Sequence, residues 1–220
     1  MEIYIDTADL TEIKQAMTLS ILDGVTTNPS ILLKQGVSYK ERLAEINEIV
    51  DGKVWYQVVS DNSMEMVKEA QEVAALLSQP VIKLPMGAES LKASKILSDQ
   101  GIETNMTLVF SVAQAILSAK AGASYVSPYV GRINDIGWSG HQLIKDIAQM
   151  YSIQGFQTKV IGASLRGTQD IVSIAELGAK AATMPFKVLM QMLHHPMSDI
   201  GLIQFREDWK AYQAQLIENF

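Results

Sequence analysis

Lys83 stands inside Val81-Ile82-Lys83-Leu84-Pro85-Met86, a lysine within a run that otherwise reads as a buried strand. Lysine is rarely buried unless it is paired or functional. Burial disfavours the ammonium and lowers its pKa, and a neutral amine attacks ketones to form a Schiff base. The plain alternative is a lysine at a strand end that reaches out to solvent. Other polar residues recur at the ends of similar apolar runs: Asp6, Thr26-Thr27-Asn28-Pro29-Ser30, Gln57 with Ser60, Asn105 and Thr107, Tyr129 with Arg132, and Ser164 with Arg166. Each has a dull explanation alone. Asp6 could cap a helix starting near Ala8, Asn28-Pro29 could be a simple turn, Gln57 a satisfied core amide, and either arginine solvated. Seven strand ends converging on one lysine are hard to attribute to chance. The eighth end, Met184-Pro185, contributes little polar chemistry.

The elements that must position these residues alternate. Short apolar strands are expected at Glu2–Asp6, Gly24–Thr27, Val54–Ser60, Val81–Leu84, Glu103–Leu108, Tyr125–Pro128, Lys159–Ala163 and Ala181–Met184. Helical spacing of apolar residues falls between them, for example over Tyr39–Val50 and Ser63–Leu77. Asn62 and Ser63 suit an N-terminus, and Gly101, Gly122 and Gly178 suit helix ends. Eight strands each followed by a helix predict an α/β fold, a single-domain (β/α)8 TIM barrel over residues 1–220. The strands are continuous apolar runs, as parallel strands covered on both faces should be. An open doubly wound sheet is the main competitor, but no Gly-x-Gly-x-x-Gly turn follows the first strand. Residues 198–220 form an extra C-terminal helix carrying Trp209 and Tyr212, able to lie on the barrel or on a neighbouring subunit.

Composition narrows the function. The 220 residues carry a net charge of −6, which disfavours nucleic acid and anionic membrane as partners. There are no cysteines, which removes disulfides, thiolate metal sites and cysteine nucleophiles. His141, His194 and His195 form no metal-ligand pattern. The N-terminus lacks the layout of a signal peptide, and no apolar run reaches the ~20 residues that span a bilayer. A soluble, cytoplasmic protein is expected.

The blocks Asp6-Thr7, Gly24-Val25-Thr26-Thr27-Asn28-Pro29-Ser30, Ile82-Lys83-Leu84-Pro85, Asn105-Met106-Thr107, Ser127-Pro128-Tyr129-Val130-Gly131-Arg132-Ile133 and Gly162-Ala163-Ser164-Leu165-Arg166 resemble the transaldolase family of class I aldolases. The likeness runs in order over essentially the whole chain. Its small members are short microbial transaldolases and fructose-6-phosphate aldolases. Transaldolases carry glutamate on strand three and phenylalanine in the Ser-Pro-Phe block, whereas the aldolases carry glutamine and tyrosine. Gln57 and Tyr129 fall on the aldolase side, and Arg166, where the aldolases have lysine, on the other.

The resemblance implies cleavage of fructose 6-phosphate into dihydroxyacetone and glyceraldehyde 3-phosphate, with transaldolase as the nearest alternative and a noncatalytic phosphosugar-binding module as another. Lys83 would form the Schiff base, and Tyr129 would take the C4 hydroxyl proton through a water held by Gln57 and Thr107. Asp6 would orient substrate hydroxyls. Thr26, Asn28 and Asn105 would hold the dihydroxyacetone end, and Arg132, Ser164 and Arg166 the phosphate. No metal or cofactor is implied. A homo-oligomer is, the small members tending toward decamers of two pentamers.

Overall fold

The computed structural model describes residues 1–218, so Asn219 and Phe220 of the expected last helix lie outside the described residues. Eight strands appear: β1 Glu2–Asp6, β2 Gly24–Thr26, β3 Lys53–Gln57, β4 Pro80–Pro85, β5 Glu103–Val109, β6 Tyr125–Pro128, β7 Lys159–Gly162 and β8 Ala181–Met184. Neighbours pair in parallel and in sequence order, and β8 returns to β1, closing a (β/α)8 barrel. The helices are α1 Leu10–Met17, α2 Pro29–Leu33, α3 Tyr39–Ile49, α4 Ser63–Ala74, α5 Ala88–Asp99, α6 Val112–Lys120, α7 Val130–Asp135, α8 Gly140–Gln154, α9 Thr168–Glu176, α10 Phe186–Met192 and α11 Pro196–Glu218.

Local chemistry explains most boundaries. Ser38 and Glu41 form a reciprocal capping box at the start of α3, and the Asn62 side chain accepts from Glu65 N to open α4. Gly101, Gly122 and Gly178 follow helix ends with positive φ, as expected of them. Asp9, not Asp6, caps α1, accepting from Thr11 N and Glu12 N. That leaves the Asp6 carboxylate for another use. Asn28-Pro29 is more than a turn: Asn28 caps α2 through Ile31 N, with Pro29 at the first helical position. The third strand ends at Gln57, three residues before the expected Ser60, so Ser60 belongs to the loop, where its hydroxyl donates to Glu69.

Side chains alternate between the two faces of each strand. One face packs against the helices in a large apolar core. The other fills the barrel, where Tyr4, Trp55, Val81, Tyr125, Ile161 and Ala181 form a separate cluster. Below them, at the N-terminal ends of the strands, charged groups close the floor. Glu2 accepts from Tyr4 Oη (2.9 Å), Tyr125 Oη (2.8 Å) and Lys159, while Lys53 donates to Tyr125 Oη (2.8 Å) and to Glu103. Among the described residues, no helix is long and apolar enough to cross a membrane.

Candidate active site

On six of the strands, moving two residues on from the apolar layer reaches the next inward position, and the chemistry changes there, with Thr26 of β2 and Thr107 of β5 completing the ring. The residues are Asp6, Thr26, Gln57, Lys83, Thr107, Ser127, Ala163 and Thr183, and all eight line one cavity of about 420 Å³ at the C-terminal ends of the strands. The period of two thus converts an apolar plug into a polar bowl within one turn of the pleat.

Lys83 is 6% exposed, and its Nζ donates to the Thr27 carbonyl oxygen at 2.8 Å. Burial lowers its pKa, and the nearby Asp6 carboxylate opposes that only in part. A neutral amine that gives one proton to a carbonyl keeps its lone pair for the cavity. Asp6 is itself fixed by Thr26, whose hydroxyl donates to Oδ1 at 2.7 Å.

Tyr129 lies at the end of β6 beside Thr107, whose hydroxyl donates to the phenol oxygen at 3.1 Å. This contact sets Thr107, with Gln57, on the same cavity wall as the phenol. Burial raises the phenol above its ordinary pKa; Asp6 adds to the rise, while the Thr107 hydrogen bond and Arg132 oppose it. Tyr129 therefore rests as a protonated phenol. The Arg132 guanidinium sits over its ring, 4.8 Å from the centroid, which carries a cation to the mouth of the bowl.

The loops after β6 and β7 are stitched together by backbone bonds from Val130 N to Ala163 O (3.0 Å) and Gly131 N to Ser164 O (3.1 Å). A Cβ on Gly131 would lie 2.3 Å from the Ser164 carbonyl oxygen, so only glycine permits this approach. Ser164 itself takes a left-handed backbone at φ 59, an uncommon conformation for a residue with a side chain.

Two expected ligands sit elsewhere. Arg166 is exposed and does not line the cavity; both its terminal nitrogens bind the Asp135 carboxylate. A full opposite charge outcompetes an open bowl. Asn105 is completely buried and outside the cavity wall, with Oδ1 accepting from Ser127 Oγ at 2.9 Å. Asn28 does line the cavity, though its side-chain oxygen is engaged in capping α2.

Several lining residues were not expected as ligands, among them Ser127, Lys34 and Thr183. Ser127 was readable as the first residue of the Ser-Pro-Tyr block. Lys34, exposed at the rim, follows the Asn-Pro-Ser block by one helical turn. Thr183 adds one hydroxyl from the eighth strand, whose end was expected to contribute little polar chemistry. Among the described residues, no group of three or more histidine or acidic side chains could hold a metal ion.

Residues 3–218 match the family described as Transaldolase/Fructose-6-phosphate aldolase. A protein named probable transaldolase from Moorella thermoacetica is 52% identical over 210 residues, covering 96% of this chain and 98% of that one. Another of that name from Clostridium kluyveri is 49% identical over 211 residues, with 96% and 98% covered. Among solved structures, a protein named as a lactate oxidase of Pediococcus acidilactici superposes with a TM-score of 0.61 at 14% identity. The match covers 84% of this chain and 62% of that one, a likeness of fold alone. With a family match over nearly its full length and relatives at about half identity, the chain belongs to the transaldolase/fructose-6-phosphate aldolase family.

Proposed function

We propose that this enzyme cleaves fructose 6-phosphate reversibly to dihydroxyacetone and glyceraldehyde 3-phosphate through a Schiff base on Lys83. The observation that carries the reading is the Thr107–Tyr129 hydroxyl pair on the wall of the bowl that holds Lys83, with the amide of Gln57 where transaldolases place a carboxylate. The neutral amine adds to the C2 ketone to give a carbinolamine. Tyr129, protonated at rest, gives its proton to the departing hydroxyl, which leaves as water from the carbinolamine carbon. The phenolate so formed faces an iminium, with Thr107 and Arg132 to stabilise it. It then takes the C4 hydroxyl proton as the C3–C4 electron pair moves into the iminium. Glyceraldehyde 3-phosphate leaves, the enamine is protonated at C3, and water hydrolyses the imine to release dihydroxyacetone and restore Lys83. Asp6, Thr26 and Asn28 meet the ketose hydroxyls.

A second reading, transaldolase, is favoured by the names of the relatives. There the enamine waits for an aldehyde acceptor. The two separate in one assay: glyceraldehyde 3-phosphate release from fructose 6-phosphate, with and without erythrose 4-phosphate. Full turnover without acceptor is expected; turnover that appears only with it would decide for the transferase.

Arg132 with Ser164 supplies the phosphate contacts, and Lys34 adds charge at the rim. Charge-assisted contacts are worth about 1.5–3 kcal/mol, so Arg132→Ala should cut efficiency on the phosphorylated ketose roughly ten- to a hundredfold. A nonphosphorylated ketose should be little affected. Arg166→Ala should cost less, because its guanidinium has to leave Asp135 before it can help. Equal losses from Arg132→Ala on both ketoses would assign Arg132 to the chemistry instead.

The active form is a homo-oligomer in this proposal. Met197, Ile200, Ile203, Phe205, Trp209 and Tyr212 of α11 are all at least half exposed, an apolar load that a neighbouring subunit would cover. Removing residues 197–220 should lower the number of subunits per particle in analytical ultracentrifugation; an unchanged subunit number would show that α11 does not hold the assembly.

A further inference from the structure

Thr183 is the one polar residue of β8, and it is 7% exposed at the wall of the cavity. Its hydroxyl oxygen lies 2.6 Å from that of Thr26, which in turn is 2.7 Å from Asp6 Oδ1. Counting protons gives the chain a direction. A hydroxyl carries one proton, and an ionised carboxylate only accepts. Thr26 gives its proton to Asp6, so Thr183 must donate to Thr26. The β-branched side chains of both threonines are stiff about χ1, and the strand backbones holding them are each paired to β1. Donation from Thr183 polarises the Thr26 hydroxyl and anchors its rotor toward Asp6. The Asp6 charge acts on both Lys83 and Tyr129, the two groups that exchange protons with the ketose in the reading above.

We propose that Thr183 is a positioning residue: through Thr26 it fixes the Asp6 carboxylate, and it governs the rate of the proton transfers around Lys83 more than ketose binding. The inference rests on the Schiff-base reading. Thr183 makes no bond to the reacting atoms, so its effect should appear in kcat.

Thr183→Val keeps the shape and removes the hydroxyl. Loss of one neutral hydrogen bond should lower kcat roughly five- to tenfold, with KM and the yield of borohydride trapping on Lys83 unchanged. Thr183→Ser, which keeps the donor, should recover most of the rate. In a Thr26→Val background the chain is already cut, so adding Thr183→Val should change kcat by less than about twofold. Thr183→Ala replaces valine if the valine variant does not fold. The idea is overturned by an undiminished kcat, by losses that simply multiply in the double variant, or by a raised KM at constant kcat. Wild-type protein that borohydride and dihydroxyacetone do not label would overturn the Schiff-base reading itself. Labelled wild type with a fully active Thr183→Val overturns only the role of Thr183.

Discussion

Lys83→Met is expected to abolish both turnover and borohydride trapping while making the protein more stable at neutral pH. Methionine fills similar space without the cost of burying an amine whose protonated form burial disfavours. In the wild type that cost is complete below the lowered folded pKa of Lys83. It fades as pH rises toward the ordinary value of an unfolded lysine, because over that window the unfolded chain binds more protons. The variant should lack this rise in stability with pH. A gain of about 1 kcal/mol would move the melting midpoint by roughly 2–4 °C in a chain of this size. Melting curves at pH 7 and 9 check the stability claim. Trapping on a different lysine in the variant would remove Lys83 from the chemistry.

Tyr129→Phe should cut fructose 6-phosphate cleavage by ~10²–10⁴-fold, the usual contribution of a positioned acid–base group. Schiff-base formation should still be detectable by trapping, but more slowly, since Lys83 and its bond to Thr27 are untouched while the proton donor for dehydration is gone. Phenylalanine can neither protonate the departing carbinolamine hydroxyl nor take the C4 proton, and Thr107 loses its acceptor. Adding Gln57→Glu returns a carboxylate to the same bowl. That double variant should regain rate, and transfer to erythrose 4-phosphate should rise relative to release of free dihydroxyacetone. If Tyr129→Phe retains the wild-type rate and turnover requires the acceptor, the transferase reading stands.

Most of the barrel could be read from the chain because parallel strands covered on both faces are unbroken apolar runs, and such runs announce themselves. β1, β6 and β8 fall at the expected residues; other ends move where a loop hydrogen bond takes over, as Glu69 does at Ser60. The short helices α2 and α7 were hidden, being set by a single cap or by stitched loops and not by periodicity. Lys83 was conspicuous as a charge among aliphatics. Thr183 was not, since one hydroxyl in Ala-Ala-Thr-Met looks like ordinary strand filling until the register sets it beside Thr26. The direction of Arg166 was equally hidden. Nothing local in Ser-Leu-Arg signals that Asp135, thirty-one residues earlier, lies within reach.

The closed floor has a consequence for which molecules this enzyme tolerates. With Tyr4, Trp55 and Tyr125 packed together in the barrel interior and the Glu2 network under them, the bowl is closed toward the N-terminal ends of the strands. In the Schiff-base reading proposed above, the ketone end of a sugar would enter first, toward Trp55 at the inner wall of the cavity. The aldehyde end stays at the doorway, among exposed side chains such as Lys34 and Arg132, where length costs nothing. Selectivity should therefore be lopsided, strict toward short donors and lenient toward the partner aldehyde. In the same reading, a shared doorway would impose an order: the first aldehyde would depart before a second could approach the bound donor.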